Sequence, residues 1–357
     1  WTRGVFVFIL RANQIYYSMK KVISLGEIML RLSPANDLRF LQTECLDAVF
    51  GGSEANVAVA LSQLGQPAAF VTKLPDNVVG EMALQVLRRY GVDTSAVIRG
   101  GKRLGIYFLE KGFSSCSSIC TYDRAHSAIA EAKPEEFDWK RIFEEAGWFH
   151  FSGITPALSD EAAEICLQAC QTARELGIGV SCDVNYRSKL WSMDKAREVM
   201  SEIGRYVDVA IVNEEEAAVL GADICVEEAM NAEVYAQMAE QLNKKFDFGK
   251  IASVARVPSE NGLAVQGMLW DRNGICRSRR YPLESVVDPL GAGDAFAAAL
   301  LYCFLKAEIA ENQETVEFAS AACALKHRIK GDYLLVKPAD VLALTDNVRG
   351  RVCGVQR

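Results

Sequence analysis

The chain has 357 residues, half of them hydrophobic, and a formal net charge of −7, enough apolar material for one large α/β domain with a smaller accessory element. The acidic balance, with an isoelectric point near 5.3, argues against a nucleic-acid surface, and no basic stripe interleaved with aromatics occurs. Eleven cysteines without a CxxC pair and the scattered His126, His150 and His327 argue against a disulfide framework and structural zinc, and suit a reducing cytoplasm.

The predicted elements begin with an extension. Residues 1–18 carry a short apolar run, Val5-Phe6-Val7-Phe8-Ile9-Leu10, between Arg3 and Arg11; it is too short to span a bilayer, and no good small-residue cleavage site follows it. We place this segment outside the fold and start the domain at residue 19, running to 351, with 352–357 as a tail. Strand-like runs at 22–25, 68–73, 148–152, 179–183 and 207–213 then alternate with helical patterns at 53–64, 80–90, 159–176 and 235–245. That alternation predicts an α/β fold, a mainly parallel sheet covered by helices on both faces. Two stretches, 32–50 and 104–123, hold short β-type runs without helical period and predict a small antiparallel sheet inserted between helices.

Four segments carry chemistry. Phe50-Gly51-Gly52-Ser53-Glu54-Ala55-Asn56 is a diglycine turn running into a helix, with Ser53 expected as N-cap and Val57, Leu61 and Leu64 as one apolar face. Val180-Ser181-Cys182-Asp183-Val184-Asn185-Tyr186-Arg187 is a strand that emerges into polar residues, and the C-terminal ends of parallel strands are where open α/β sheets bind ligands. Val209-Ala210-Ile211-Val212-Asn213-Glu214-Glu215-Glu216 ends in an amide and three acids, which on residue type alone also fits a solvated first helical turn. In Val287-Asp288-Pro289-Leu290-Gly291-Ala292-Gly293-Asp294-Ala295-Phe296 a glycine turn meets a helix N-terminus. Such a junction offers unshielded N–H groups and a favourable dipole to an anion such as phosphate. Asp294 there could accept the proton of an attacking hydroxyl or merely cap the helix.

The diglycine segment with Asn56 and the late Gly291-Ala292-Gly293-Asp294 together resemble the paired signatures of the ribokinase-like (PfkB) carbohydrate kinases, from about residue 20 to about 351. The resemblance implies a ribokinase-like fold with a discontinuous β-sheet lid, ATP and Mg²⁺ as cofactors, and a homo-oligomer formed through the lid. It implies that Gly51, Gly52 and Asn56 belong to the sugar pocket. Gly291, Ala292 and Gly293 would form the anion hole, Asp294 the catalytic base, and Asn213 and Glu216 would help hold Mg²⁺ and its water.

The substrate class follows from Tyr107, Tyr122, Arg124 and Arg187, which lie beside these segments. Two arginine forks suit a carboxylate, although each alone fits a structural ion pair. The runs Tyr122-Asp123-Arg124 and Asp183-Val184-Asn185-Tyr186-Arg187, with Trp148 to Thr155, are similar to the 2-keto-3-deoxygluconate kinase branch, which implies phosphorylation of the C6 hydroxyl of that sugar acid. Kinases of a neutral ketose or ribose, and a catalytically silent sugar-binding protein, remain the alternatives. The silent reading draws on two departures from the family pattern: Pro289-Leu290 before the anion turn, and Val254-Ala255-Arg256-Val257 in a nucleotide segment, which keeps Arg256 alone.

Overall fold

The computed structural model describes residues 20–112, 118–223, 231–260, 262–306 and 311–347. The expected extension at 1–18, the tail at 352–357 and part of the second lid segment fall outside these residues.

Strand β1 (Lys21–Leu25) continues into β2 (Met29–Pro34) and β3 (Leu46–Gly51), followed by helix α1 (Ser53–Gln63), β4 (Ala68–Val71), β5 (Lys73–Leu74), α2 (Val78–Arg89), β6 (Ile98–Arg99), β7 (Gly105–Glu110) and β8 (Ile119–Asp123). Next come the short α3 (Trp139–Ile142), β9 (Ala146–Ser152), α4 (Asp160–Glu175), β10 (Gly179–Asp183), α5 (Met193–Ile203), β11 (Val209–Ile211) and α6 (Ala232–Phe246). The described chain closes with β12 (Lys250–Ser259), β13 (Gly262–Asp271), β14 (Gly274–Arg277), β15 (Tyr281–Pro282), α7 (Ala292–Leu305), α8 (Asn312–Lys326) and α9 (Pro338–Asn347).

The central sheet has the order β14-β13-β12-β11-β10-β9-β1-β4, with β15 also on β13. From β4 to β12 every pairing is parallel, and β13 to β15 add an antiparallel edge. This is the ribokinase-like α/β architecture expected above. Alternation along β1 splits the core, with Val22 in one apolar layer and Ile23 and Leu25 in the other, because successive side chains leave opposite faces of a strand. One layer rests on α1, α7 and α8; the other includes Ile165 and Cys166 of α4 and Tyr235 and Leu242 of α6.

Two expectations need correction. Helix α1 does not show a single apolar face: every residue from Glu54 to Leu61 is buried, since the helix lies between the sheet and α7 and has little solvent side. The lid forms a four-stranded sheet, β3-β2-β7-β8, but it is mixed rather than antiparallel. Each insertion folds as its own antiparallel pair, and the two join through parallel β2 and β7.

Candidate active site

A cavity of about 1000 Å³ opens between the lid and the ends of the central strands. Gly52, Asn56, Tyr107, Tyr122, Arg124, Arg187, Gly291 and Asp294 all line it, so the structure brings most of the sugar-pocket candidates together. Leu290 lines it as well. Pro289 fits its turn, because its carbonyl accepts the Ala292 N–H at 3.4 Å and Leu290 N–H donates to Asp288 Oδ1 at 3.2 Å.

Asp294 sits in the first turn of α7, whose N-cap is Gly291. Gly291 has φ of 78°, and a Cβ there would come within 1.9 Å of the Asp332 carbonyl oxygen; glycine is therefore required twice over. Gly293 differs, with no heavy atom within 4 Å of an added Cβ. The turn geometry thus depends on Gly291, while Gly293 leaves open space beside first-turn N–H groups that have no carbonyl partner within the helix.

The Asp294 carboxylate accepts from Ser53 Oγ at 2.7 Å and from Asn56 Nδ2 at 2.7 Å. Ser53 is therefore not the N-cap expected from the sequence: Gly52 holds that position, with no side-chain cap bond, and the serine hydroxyl is turned toward the acid. Asn56 is oriented by the Gly52 N–H, which donates to its Oδ1 at 3.3 Å. Burial raises the Asp294 pKa against the pull of Asn56 and Ser53, which makes the carboxylate a better proton acceptor. Gly52 is required by close approach, since a Cβ would meet the Glu27 carbonyl oxygen at 1.9 Å. Gly51 does not line the cavity; it packs against the Asp332 side chain.

The two arginines part company. Arg187 is exposed at the cavity rim, donates to the Tyr186 carbonyl at 3.1 Å and makes no ion pair among the described residues. Arg124 is committed to buried Glu27, with Nε and Nη2 reaching the same oxygen at 2.8 and 2.5 Å. Tyr107 and Tyr122 stack with centroids 5.8 Å apart, and the Tyr107 hydroxyl donates to Asp332 Oδ2.

Asn213 and Glu216 lie outside the cavity lining. They bond each other, Glu216 N–H to Asn213 Oδ1 at 2.8 Å and Asn213 N–H to Glu216 Oε2 at 3.3 Å. Burial raises the pKa of Glu216 and of Asp183, and Asp183 is raised further by Glu216 and Asp294 nearby. Carboxylate oxygens of this kind are the donors a hard divalent cation takes. Among the described residues no cluster of three or more His, Cys, Asp or Glu could hold a metal. Arg256 is exposed on β12 and does not line the cavity; its charge is felt by Cys323 and His327 at the C-terminal end of α8.

Sequence reasoning missed Glu27, Arg31, Glu54 and Asp332. Arg31 had a signal: it occupies an inward position of the alternating strand Met29-Leu30-Arg31-Leu32, where a charge is unexpected. Glu54 anchors α1, with one oxygen accepting from Ser152 N–H, Ser152 Oγ and Thr155 Oγ1 at 2.6–2.9 Å.

A family model for pfkB family carbohydrate kinases matches residues 19–337. The chain belongs to that family. Membership makes it a sugar kinase, a phosphotransferase acting on an alcohol group. It is 34% identical over 338 residues to the 2-dehydro-3-deoxygalactonokinase of Haloferax volcanii, covering 94% of this chain and 99% of that one. It is 27% identical to the 2-dehydro-3-deoxygluconokinase of Thermoproteus tenax, over 88% and 90% of the two chains. Among solved structures, the 2-dehydro-3-deoxygluconokinase of Thermotoga maritima superposes with a TM-score of 0.87 at 45% identity, covering 92% of this chain and 98% of that one. No helix of the described residues is long and apolar enough to cross a membrane.

Proposed function

We propose that this kinase transfers the γ-phosphoryl group of ATP to the C6 hydroxyl of 2-keto-3-deoxygluconate. The observation that carries the reading is the pairing, in one cavity, of a half-buried carboxylate at a helix start with an arginine free of ion pairs among the described residues. Asp294 would accept the proton of the attacking hydroxyl, held by Ser53 and Asn56. The N–H groups following Gly291 would face the charge that develops on the phosphoryl oxygens. Arg187 would bind the substrate carboxylate, with Arg124 in a lesser role because Glu27 already neutralises it. Mg²⁺, held near Asn213 and Glu216, would supply charge neutralisation on the nucleotide phosphates. Arg256, exposed on β12, is the candidate for nucleotide contact. The chain would assemble as a homo-oligomer through the lid sheet, whose edge strands β3 and β8 carry the exposed Leu46 and Ile119.

The galactonate epimer is a second candidate, favoured by the 34% identity to the Haloferax volcanii enzyme. A coupled ADP-release assay over 2-keto-3-deoxygluconate, its galactonate epimer, fructose and ribose tests both readings. Preference for either acid supports the carboxylate assignment, and a preference for fructose or ribose refutes it. No sugar-dependent turnover at all would indicate a silent sugar-binding protein.

A further inference from the structure

Arg31 lies on lid strand β2, yet it is only 2% exposed. Its fork spans two acids from the other end of the chain: Nη2 donates to Asp288 Oδ2 and Nη1 to Asp332 Oδ1, both at 2.7 Å, while Nε donates to Ser33 Oγ at 3.1 Å. Asp288 is itself fully buried and shapes the anion turn, since its Oδ1 accepts the Leu290 N–H at 3.2 Å and its Oδ2 the Gly331 N–H at 3.0 Å. The Lys326 ammonium donates to the Asp288 carbonyl at 3.2 Å. Asp332 supplies the carbonyl against which Gly291 packs, and its carboxylate also accepts from Tyr107 of lid strand β7. Each central lid strand therefore sends a side chain, Arg31 and its register partner Tyr107, onto the acids that carry the anion turn.

A buried ion network of this kind adds little net stability over apolar packing, because desolvation offsets the attraction. Its geometric content is larger: a planar fork fixes two carboxylates relative to one strand. We propose that Arg31 is a positioning residue that ties the seating of the lid to the shape of the 288–293 turn, so that the turn is aligned for phosphoryl transfer only when the lid is in place. The proposal rests on the reading of this cavity as the phosphoryl-transfer site, but not on which sugar occupies it.

The test uses the full chain and whichever sugar the wild type turns over. Arg31→Met and Arg31→Lys are compared for kcat, for sugar and ATP Kd by calorimetry, and for melting temperature. The expected result for Arg31→Met is a kcat lowered by about tenfold or more with sugar and ATP Kd changed by less than about threefold, since alignment rather than affinity is lost. Arg31→Lys keeps the charge without the fork, and should recover part of the rate. A folded Arg31→Met with kcat within about twofold of wild type, or a loss carried wholly by sugar affinity, overturns the proposal. If Arg31→Met fails to fold, Arg31→Lys decides: a kcat lowered about threefold or more at unchanged Kd supports the coupling, and any other outcome overturns it. A wild type inert on every sugar fails the kinase-site reading instead; an active wild type with unaffected variants fails this inference alone.

Discussion

Replacing Asp294 by asparagine separates chemistry from architecture. The carboxylate is held by two donors, Ser53 Oγ and Asn56 Nδ2, each at 2.7 Å. In Asp294→Asn the new amide can turn its oxygen to Asn56 and donate its NH₂ to the serine hydroxyl, which accepts as readily as it donates, so both contacts survive. The proton acceptor does not. Loss of a positioned general base costs about 10²–10⁴-fold in kcat, or roughly 2.7–5.5 kcal/mol in the barrier. Stability should move the other way. Burial holds the folded-state pKa of Asp294 above its ordinary value. The native chain therefore binds this proton more tightly than the unfolded one, and the ionised acid costs stability that grows as pH rises from the unfolded pKa through the folded one. A neutral amide escapes that cost. Asp294→Asn should therefore melt at or above the wild-type temperature near neutral pH, with the difference shrinking toward acid pH, while sugar Kd stays close to wild type. The assay pairs single-substrate kinetics with melting curves at several pH values. A kcat within about tenfold of wild type would refute the base assignment, and a variant that melts lower than wild type at neutral pH would refute the account of its burial.

Gly291→Ala should lower both melting temperature and kcat, because left-handed backbone costs a non-glycine residue about 1–2 kcal/mol and the new Cβ would strike the Asp332 carbonyl; an unchanged melting temperature would count against this turn geometry. Arg187→Met should reduce kcat/KM for the acidic sugar by roughly tenfold to a few hundredfold, the equivalent of about 1.5–3 kcal/mol for a charge-assisted bond, and leave fructose unaffected. Equal losses on both sugars would remove the carboxylate role. Glu216→Gln can still accept the Asn213 N–H, so the turn should persist while the Mg²⁺ concentration for half-maximal activity rises; identical Mg²⁺ titrations would assign Glu216 to the turn alone.

Much of this protein was legible in one dimension. The alternation of apolar runs and helical periods determined a mostly parallel α/β sheet, because each strand and helix signals its own burial locally. The two glycine turns and Asp294 were equally visible, since close backbone approach and helix starts require particular residues at fixed short spacing. The β12–β13 hairpin was not visible, because β13 is buried from Ala264 to Trp270 and loses the alternation that marks a strand. Nor was the use of Ser53: a serine before a helix reads as a cap, and only the fold sets Asp294 opposite it, 241 positions away. The same holds for charge. Arg31 finds its acids 257 and 301 positions along the chain, and Arg124 finds Glu27 97 positions back, whereas Arg187 forms no direct ion pair among the described residues and acts on Asp183, Glu216 and Asp294 only through its field. Which arginine is neutralised and which is left for a ligand depends on what burial brings within a few ångströms, because desolvated charges must be compensated by whatever lies nearest in space. Local pattern encodes which residues are buried; only the tertiary structure decides beside what.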